Sequence, residues 1–504
     1  MPGKSNGKFF VKYEKLACSP RNANNRGFRL GGNRKVDWGW IVWGLDAAVH
    51  EALLFAAVGF LVGGIDDLAI DAIFLVRTAW RRASVMRRYQ RARLSDFMVR
   101  RDAGRIAIFV AAWDESRVIG AMLATALARI EHPNYRLYVG TYPNDRATID
   151  AVIEIARRDA RVRLVIGPHS GPTTKADCLN ALWRALLRDE AAEGARAKAV
   201  VLHDAEDVVH AGELAIFDRL IDRHWVVQLP VLPLPDQRSR LVSGHYQDEF
   251  AEVHAKQLVV REALGAGLPL AGVGCAIARA ALDVIAASRG GAPFDETSLT
   301  EDYELGLRIG ALGGRGILAR VPEYPGGPVV AVRAYFPATL DAAVRQKARW
   351  LFGIALAGWD RTGWGRRRHL GELWMRMRDR RAPLAVLVLA AAYLALGAWG
   401  MGAALHWLTG IPPPPLAPLL HALLSINAIL LAWRLVMRGS FTALAYGRRE
   451  ALWALPRTFV GNLIAMLAVR RAIIRYFGTL AGRAPRWEKT AHHFPADNAD
   501  EQVS

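Results

Sequence analysis

The sequence predicts an α/β domain with a mostly parallel sheet, flanked by transmembrane helices. Two observations carry that expectation. Between about residues 102 and 350, short apolar runs alternate with stretches of helical periodicity. Strands alternating with helices in this way imply βαβ units. Between Arg381 and Arg434, no Lys, Arg, Asp or Glu occurs across 52 residues. A soluble surface needs ionisable groups, whereas a membrane span needs about 20 mostly apolar residues, so this run holds two spans and a turn. A formal charge of +19 would also suit a nucleic-acid binder. The charge-free run, together with 52% hydrophobic residues over a chain of 504, points to a membrane instead and to no nucleic-acid partner.

Taken in order, residues 1–38 are polar and basic with no apolar core, so no secretory signal is expected. Residues 39–76 form an N-terminal membrane segment in which Asp66, Asp67 and Asp71 are awkward, because a carboxylate in lipid is costly unless paired. The expected span lies mainly over residues 40–64; a re-entrant or surface helix is the other reading. Ten arginines from Arg77 to Arg105 follow, most of them in a cytoplasmic collar over residues 77–101. The α/β domain occupies residues 102–360 and a basic linker residues 361–382. Spans are expected at 383–408 and 416–437, joined by TGIPPPP. Arginines crowd their outer ends, which places both ends in the cytoplasm and the proline turn outside, with the α/β domain on the cytoplasmic side too. Residues 452–475 read as either a short final span or an interfacial helix. Residues 476–504 form a cytoplasmic tail ending in HHFPADNADEQVS, expected to be flexible. Cys18, Cys178 and Cys275 have no paired spacing, which argues against structural zinc and disulfides.

Within the α/β region, RIAIFVAAW (105–113) reads as a buried strand followed by a helix from Ser116 to Ile130. YRLYVGTY, a helix near 146–158, RVRLVIG, a helix after Lys175 and the strand AKAVVLHD come next. Ligands of parallel sheets bind beyond the carboxyl ends of the strands. Ala112 to Glu115, Tyr142 to Asp145 and Asp204 to Asp207 therefore fall on one rim. A dinucleotide fold is disfavoured, since AAWDESRVIG replaces the glycine-rich turn, and GPTTKAD lacks a Walker A lysine pair.

Three clusters carry chemistry. HDAED places Asp204 and Glu206 at a strand end, and a divalent cation shared with nucleotide phosphates needs only one or two protein carboxylates. A helix cap by Asp207 or His210, or a solvated loop, explains the same residues locally. SLTEDYELGLRI puts Glu301 and Asp302 at a helix start, where Thr300 is a candidate N-cap and the acids suit the dipole. In RQKARW, Gln346, Arg349 and Trp350 share one helical face, suited to a ring and to phosphate or hydroxyl oxygens, or to an interfacial aromatic near lipid.

HDAED, TED and QKARW, in that order on such a domain, resemble the D-x-D, T/E-D and Q-x-x-R-W motifs of membrane-bound family 2 glycosyltransferases, the group containing cellulose and hyaluronan synthases. AAWDES, KADCLN and GVGCAIAR resemble that family's first-strand, nucleotide-side and acceptor-side segments. The resemblance implies a GT-A domain and inverting transfer of a hexosyl or N-acetylhexosaminyl group from a nucleotide sugar donor, expected to be UDP-linked. The acceptor would be a glycan or a lipid-linked one, with membrane lipids and an envelope export partner as further contacts. It implies Glu115 and Asp145 at the nucleoside, Lys175 and Asp177 beside uracil or ribose, and Asp204 and Glu206 holding Mg2+ or Mn2+. Asp302 would be the base, with Glu301 beside it, and Gln346, Arg349 and Trp350 would bind the acceptor end and diphosphate. The sequence stops soon after HHFP, so the cyclic di-GMP type regulatory domain found in some relatives is not expected. A non-catalytic scaffold of an envelope polysaccharide complex would keep the fold, but intact TED and Q-x-x-R-W argue against it. A transporter would need more spans.

Overall fold

The computed structural model describes residues 38–97, 102–366, 368–482 and 493–495. Residues 1–37 with Cys18, the end of the arginine collar at 98–101, residue 367, and residues 483–492 and 496–504 of the expected tail lie outside the described residues.

The expected mostly parallel sheet is present, with seven strands among the described residues. They are β1 (Ile106–Ala111), β2 (Tyr135–Thr141), β3 (Val162–Ile166), β4 (Ala199–His203), β5 (Val226–Gln228), β6 (Cys275–Ala278) and β7 (Gly316–Leu318), in the order β3-β2-β1-β4-β6-β5-β7. All six residues of β1 and all five of β4 are buried, as expected for central strands covered on both faces. Two apolar cores form, one containing Ile106, Ile108 and Val110, the other Ala107, Phe109 and Ala111.

Register sets the rim. Ala111 pairs with Gly140 and Val110 with His203, so β1, β2 and β4 end together. Residues 112–115, 142–145 and 204–207 emerge side by side. Three short strands were not expected, β5, β6 and β7; of these β6, four residues long, runs antiparallel to β4 and pairs Leu202 with Cys275. It brings Gly272 to Gly274 alongside Asp204. The first helix of the domain also departs from expectation: α2 spans Ile119–Arg129, after α1 (Trp38–Ala83). It starts later than Ser116 because residues 115–118 form a turn in which the N–H groups of Val118 and Ile119 both donate to the Glu115 carbonyl.

Among the described residues, four helices are long and apolar enough to cross a membrane. Besides α1 they are the helices Ala382–Thr409, Pro418–Tyr446 and Arg448–Leu480. With 46 residues, α1 is about 69 Å long, more than twice a hydrocarbon core. It is one continuous helix rather than a re-entrant turn, and the three acids that look awkward in the sequence are paired. Asp66 and Asp67 meet Arg378 and Arg381, Asp67 also meets Arg434, and Asp71 meets Lys256 and the Trp433 indole. Pairing offsets the cost that made these acids awkward in the sequence. The helix Arg448–Leu480 is longer than the expected 452–475, and Arg457 is buried against Asp248 and Glu450 rather than facing lipid. Its Ala468 and Ala472 pack with Leu299, Ala348 and Phe352, which ties this apolar helix to the rim of the α/β domain.

Candidate active site

Four segments build one cavity of about 1050 Å³ at the carboxyl rim of the sheet. Its acidic side includes Glu115, Lys175, Asp204, Glu206, Glu301 and Asp302. Gln346, Arg349 and Trp350 line it as well.

The turn after β4 is held from behind. His203 is fully buried, with Nδ1 2.9 Å from Asp207 Oδ2 and Nε2 2.8 Å from Glu213 Oε1. Asp207 Oδ2 also accepts the Asp204 amide at 3.0 Å. Burial opposes charge on this imidazole, but Glu213 and Asp207 outweigh it and lift the pKa to about 10. Asp207 therefore holds the turn and caps no helix. The helix α5 (Glu213–Leu220) follows α3 (Arg146–Ala156) and α4 (Lys175–Glu193), and its N-cap position is Gly212. His210 faces Glu323 at 3.2 Å and accepts the Gly212 amide. Neither histidine joins a metal-type cluster, and among the described residues no group of three His, Cys, Asp or Glu side chains has such an arrangement.

Lys175, the first residue of α4, extends into the cavity because Thr174 caps that helix through the Asp177 amide. Its Nζ lies 2.5 Å from Asp204 Oδ1 and 3.4 Å from the Gly272 carbonyl. Burial disfavours the ammonium, yet Asp204, Glu301 and Asp302 together hold its pKa above the usual lysine value. Three acids thus converge on one cation, rather than Lys175 standing apart beside a base. Gly272 is required where it is: its φ is +75°, and a Cβ would strike the Asp302 carboxylate.

Glu301 and Asp302 open the next helix of the site, which spans Glu301–Ala311. Thr300 holds the N-cap position, but its side chain makes no cap; Oγ1 is buried without a partner. Burial and the Asp302 charge push Glu301 up to about 7. Burial raises Asp302 too, against the pull of Lys175. Across the cavity lies the helix Leu340–Leu351. Arg349 is near enough to stabilise both carboxylates, and the Gln346 Oε1 is buried without a partner. Trp350 packs against Tyr246 and Phe250, which fixes its ring at the cavity wall.

Two expected site residues are not brought to the cavity. Asp145 caps α3, accepting the Thr148 amide at 3.3 Å and the Asp114 amide at 2.5 Å. Asp177 is buried beside His169, 3.2 Å from its Nδ1. Both carboxylates are engaged in holding local backbone or a neighbouring side chain, which takes them off the cavity lining. The acceptor-side expectation for GVGCAIAR splits in the same way. Its Gly272 end meets Asp302, whereas Arg279 turns away to pair with Glu190 and stack on Trp183. The flexible-tail expectation is corrected at one place: His493, Phe494 and Pro495 line the cavity, with Phe494 packed against the sheet core. The apolar pair Phe494-Pro495 in a polar tail is the signal that could have announced it.

A divalent cation fits the donor set in one way only. Asp204 and Glu206 supply two carboxylates at the strand end, too few for an all-protein site but enough where diphosphate oxygens complete the shell. The position of the Lys175 ammonium on Asp204 marks the same spot as one that stabilises positive charge.

Residues 103–353 match the family model for glycosyltransferase like family 2. Bacteriophage adsorption protein B of Escherichia coli K12 is 36% identical over 468 residues, covering 88% of this chain. Bacteriophage N4 adsorption protein B of Escherichia coli O157:H7 matches with the same identity and coverage. The chain spans 62% of the length of these relatives. Among solved structures, the mannosyltransferase PcManGT from Pyrobaculum calidifontis, in complex with GDP-Man and Mn2+, aligns with a TM-score of 0.47 and 16% identity, covering 80% of this chain and 99% of its own.

Proposed function

Because residues 103–353 belong to the glycosyltransferase like family 2, we propose that this chain transfers a sugar, with inversion, from a UDP-linked donor to a glycan or lipid-linked acceptor. The observation that carries this reading is the convergence of HDAED, TED and QKARW on one cavity around Lys175. The setting is the bacterial inner membrane, with the domain on the cytoplasmic side, supported by the four apolar helices and by the arginines at their ends. The product belongs to envelope or exopolysaccharide synthesis.

In this mechanism Asp204 and Glu206 would hold Mg2+ or Mn2+ against the donor diphosphate. The cation supplies charge stabilisation to the leaving group. Lys175, already between Asp204 and the TED acids, places a second positive charge beside that diphosphate. Glu115 lies at the donor side of the cavity. Asp302 takes the proton from the acceptor hydroxyl, and Arg349 steadies the paired carboxylates. Gln346 and Thr300 offer buried oxygens without partners, suited to hydroxyls of the incoming sugar or acceptor. Trp350 supplies a ring face for stacking. One base and one attacking acceptor give inversion, without the covalent intermediate of a double displacement.

A pH limb follows. The Glu301–Asp302 pair sheds its proton late, Glu301 at about 7, so the form able to accept a proton grows as pH rises through that value. Transfer at saturating donor is expected to fall as pH drops below about 7, measured as kcat against pH. A kcat independent of pH from about 5 to about 8, with transfer chemistry rate-limiting, would contradict the pair's role. The function itself is tested by a donor screen on the full chain in detergent, with several nucleotide sugars and Mg2+ or Mn2+. Divalent-dependent release of UDP coupled to glycosylated product is expected. Absence of turnover and of nucleotide binding with every donor would favour a scaffold.

A further inference from the structure

The cavity does not end at the catalytic acids. Its lining continues through Arg261 and Asp379 to Asp67, Arg378, Arg381 and Arg434. Arg381 immediately precedes the charge-free run and Arg434 immediately follows it, so these groups mark the level at which the apolar helices meet water. Ile70, Leu258 and Met375 line the same region and are buried.

The charges of this floor do not balance. Arg378 and Arg381 share Asp66 and Asp67, Arg434 joins Asp67, and Arg261 Nη1 bonds Asp379 at 2.8 Å. Four guanidiniums face three carboxylates, leaving one positive charge; the neighbouring Lys256 and Arg438 are matched by Asp71 and Glu252. Arg261 is 4% exposed, donates Nε to the Gly267 carbonyl at 2.7 Å, and its Nη2 has no acceptor. A buried guanidinium N–H without an acceptor costs stability unless an anion meets it. Planar guanidiniums recognise phosphate through paired N–H groups.

We infer that this floor binds the phosphate of a membrane lipid, which presents the acceptor to Asp302 from the membrane side. The inference rests on the transferase reading and adds the acceptor class to it. The phosphate bridges Arg261 and the Arg378–Arg381–Arg434 cluster, and the lipid chain continues towards the apolar helices that Arg381 and Arg434 bound. The same chemistry would recognise free phosphate, so the source has to be separated by experiment.

Full chain in zwitterionic nanodiscs is titrated with farnesyl phosphate, farnesol and inorganic phosphate, with binding read by native mass spectrometry. Farnesyl phosphate is expected to bind at least about tenfold more tightly than farnesol or inorganic phosphate, the scale of one charge-assisted hydrogen bond. Arg261→Gln leaves Asp379 buried and short of its cation and can misfold; Arg434→Gln, at a side chain 47% exposed, avoids that. Either variant that still binds UDP with Mn2+ like the parent chain should bind farnesyl phosphate about tenfold more weakly. Equal binding of farnesol, equal binding of inorganic phosphate, or an unchanged Arg434→Gln variant each overturns the lipid-phosphate site. If no nucleotide sugar is turned over while farnesyl phosphate still binds through Arg434, the transferase reading fails and the lipid site stands.

Discussion

Replacing Asp302 with asparagine is expected to lower transfer by roughly 10³-fold, the usual contribution of a positioned general base, while the donor still binds. The expectation comes from where the carboxylate lies. It shares a buried cluster with Glu301, Lys175 and Arg349, and Gly272 leaves the space it occupies. Asparagine keeps the shape and cannot accept the proton. Its neutrality also removes one of three acids that hold the Lys175 charge, so Lys175 stays with Asp204 and Glu301. UDP binding in the presence of Mn2+, followed by calorimetry, should therefore change little, and kcat should carry the loss. Transfer by Asp302→Asn at the parent rate would sink the assignment of the base.

Asp204→Ala is expected to act at the other end of the same cluster. The Asp204 side chain bonds Lys175 directly, and its amide is anchored by Asp207 on the buried His203. Removing the carboxylate takes away one of two protein ligands proposed for the cation. The divalent concentration needed for half-maximal donor binding should rise by at least about 10–100-fold, since even indirect partners of a metal ligand have effects of that size. Lys175 would then lean towards Glu301 and Asp302, and donor binding without metal should not improve. An unchanged divalent requirement would remove Asp204 from that role. His203 and Asp207 remain in this variant, so a fold intact by thermal melting separates loss of the ligand from loss of the turn.

The parts legible in the sequence are those fixed by local pattern. β1 is a continuous apolar run, and β2 and β4 are nearly so, interrupted by Arg136 and ended by His203, because both faces of a parallel sheet are covered. Asp204, Glu206, Glu301, Asp302, Gln346, Arg349 and Trp350 can be named from short motifs, and the fold brings all of them to one cavity. What local pattern does not carry is pairing across the chain. The Arg261–Asp379 ion pair joins residues 118 apart, and Lys256–Asp71 joins residues 185 apart. No spacing rule announces either one. Asp145 and Asp177 show the opposite failure. Their positions at strand and helix ends suit a nucleoside, yet at those ends backbone amides and His169 engage the carboxylates first. β6 is hidden in the sequence because CAIA is too short to read as a strand, although it sets Gly272 against the Asp302 carboxylate.

The acids of α1 illustrate how far a membrane segment depends on partners outside itself. Read alone, Asp66, Asp67 and Asp71 weaken a span. Within the fold they meet arginines and a lysine from other segments, including residues that line the cavity at the sheet rim. The long apolar helices and the α/β domain are thereby joined through ion pairs, so changes at Asp67 are expected to show in both binding and transfer.

The central claim is a single displacement driven by one base on one face of the donor. It is tested most directly by the anomeric configuration of the sugar in the product, read by proton NMR coupling constants after transfer from an α-linked UDP-sugar. A β-linked product, formed by the parent chain and lost in Asp302→Asn, is the predicted result. An α-linked product would contradict it, because retention requires a second nucleophile or a front-face mechanism, and neither role falls to the acids of this cavity.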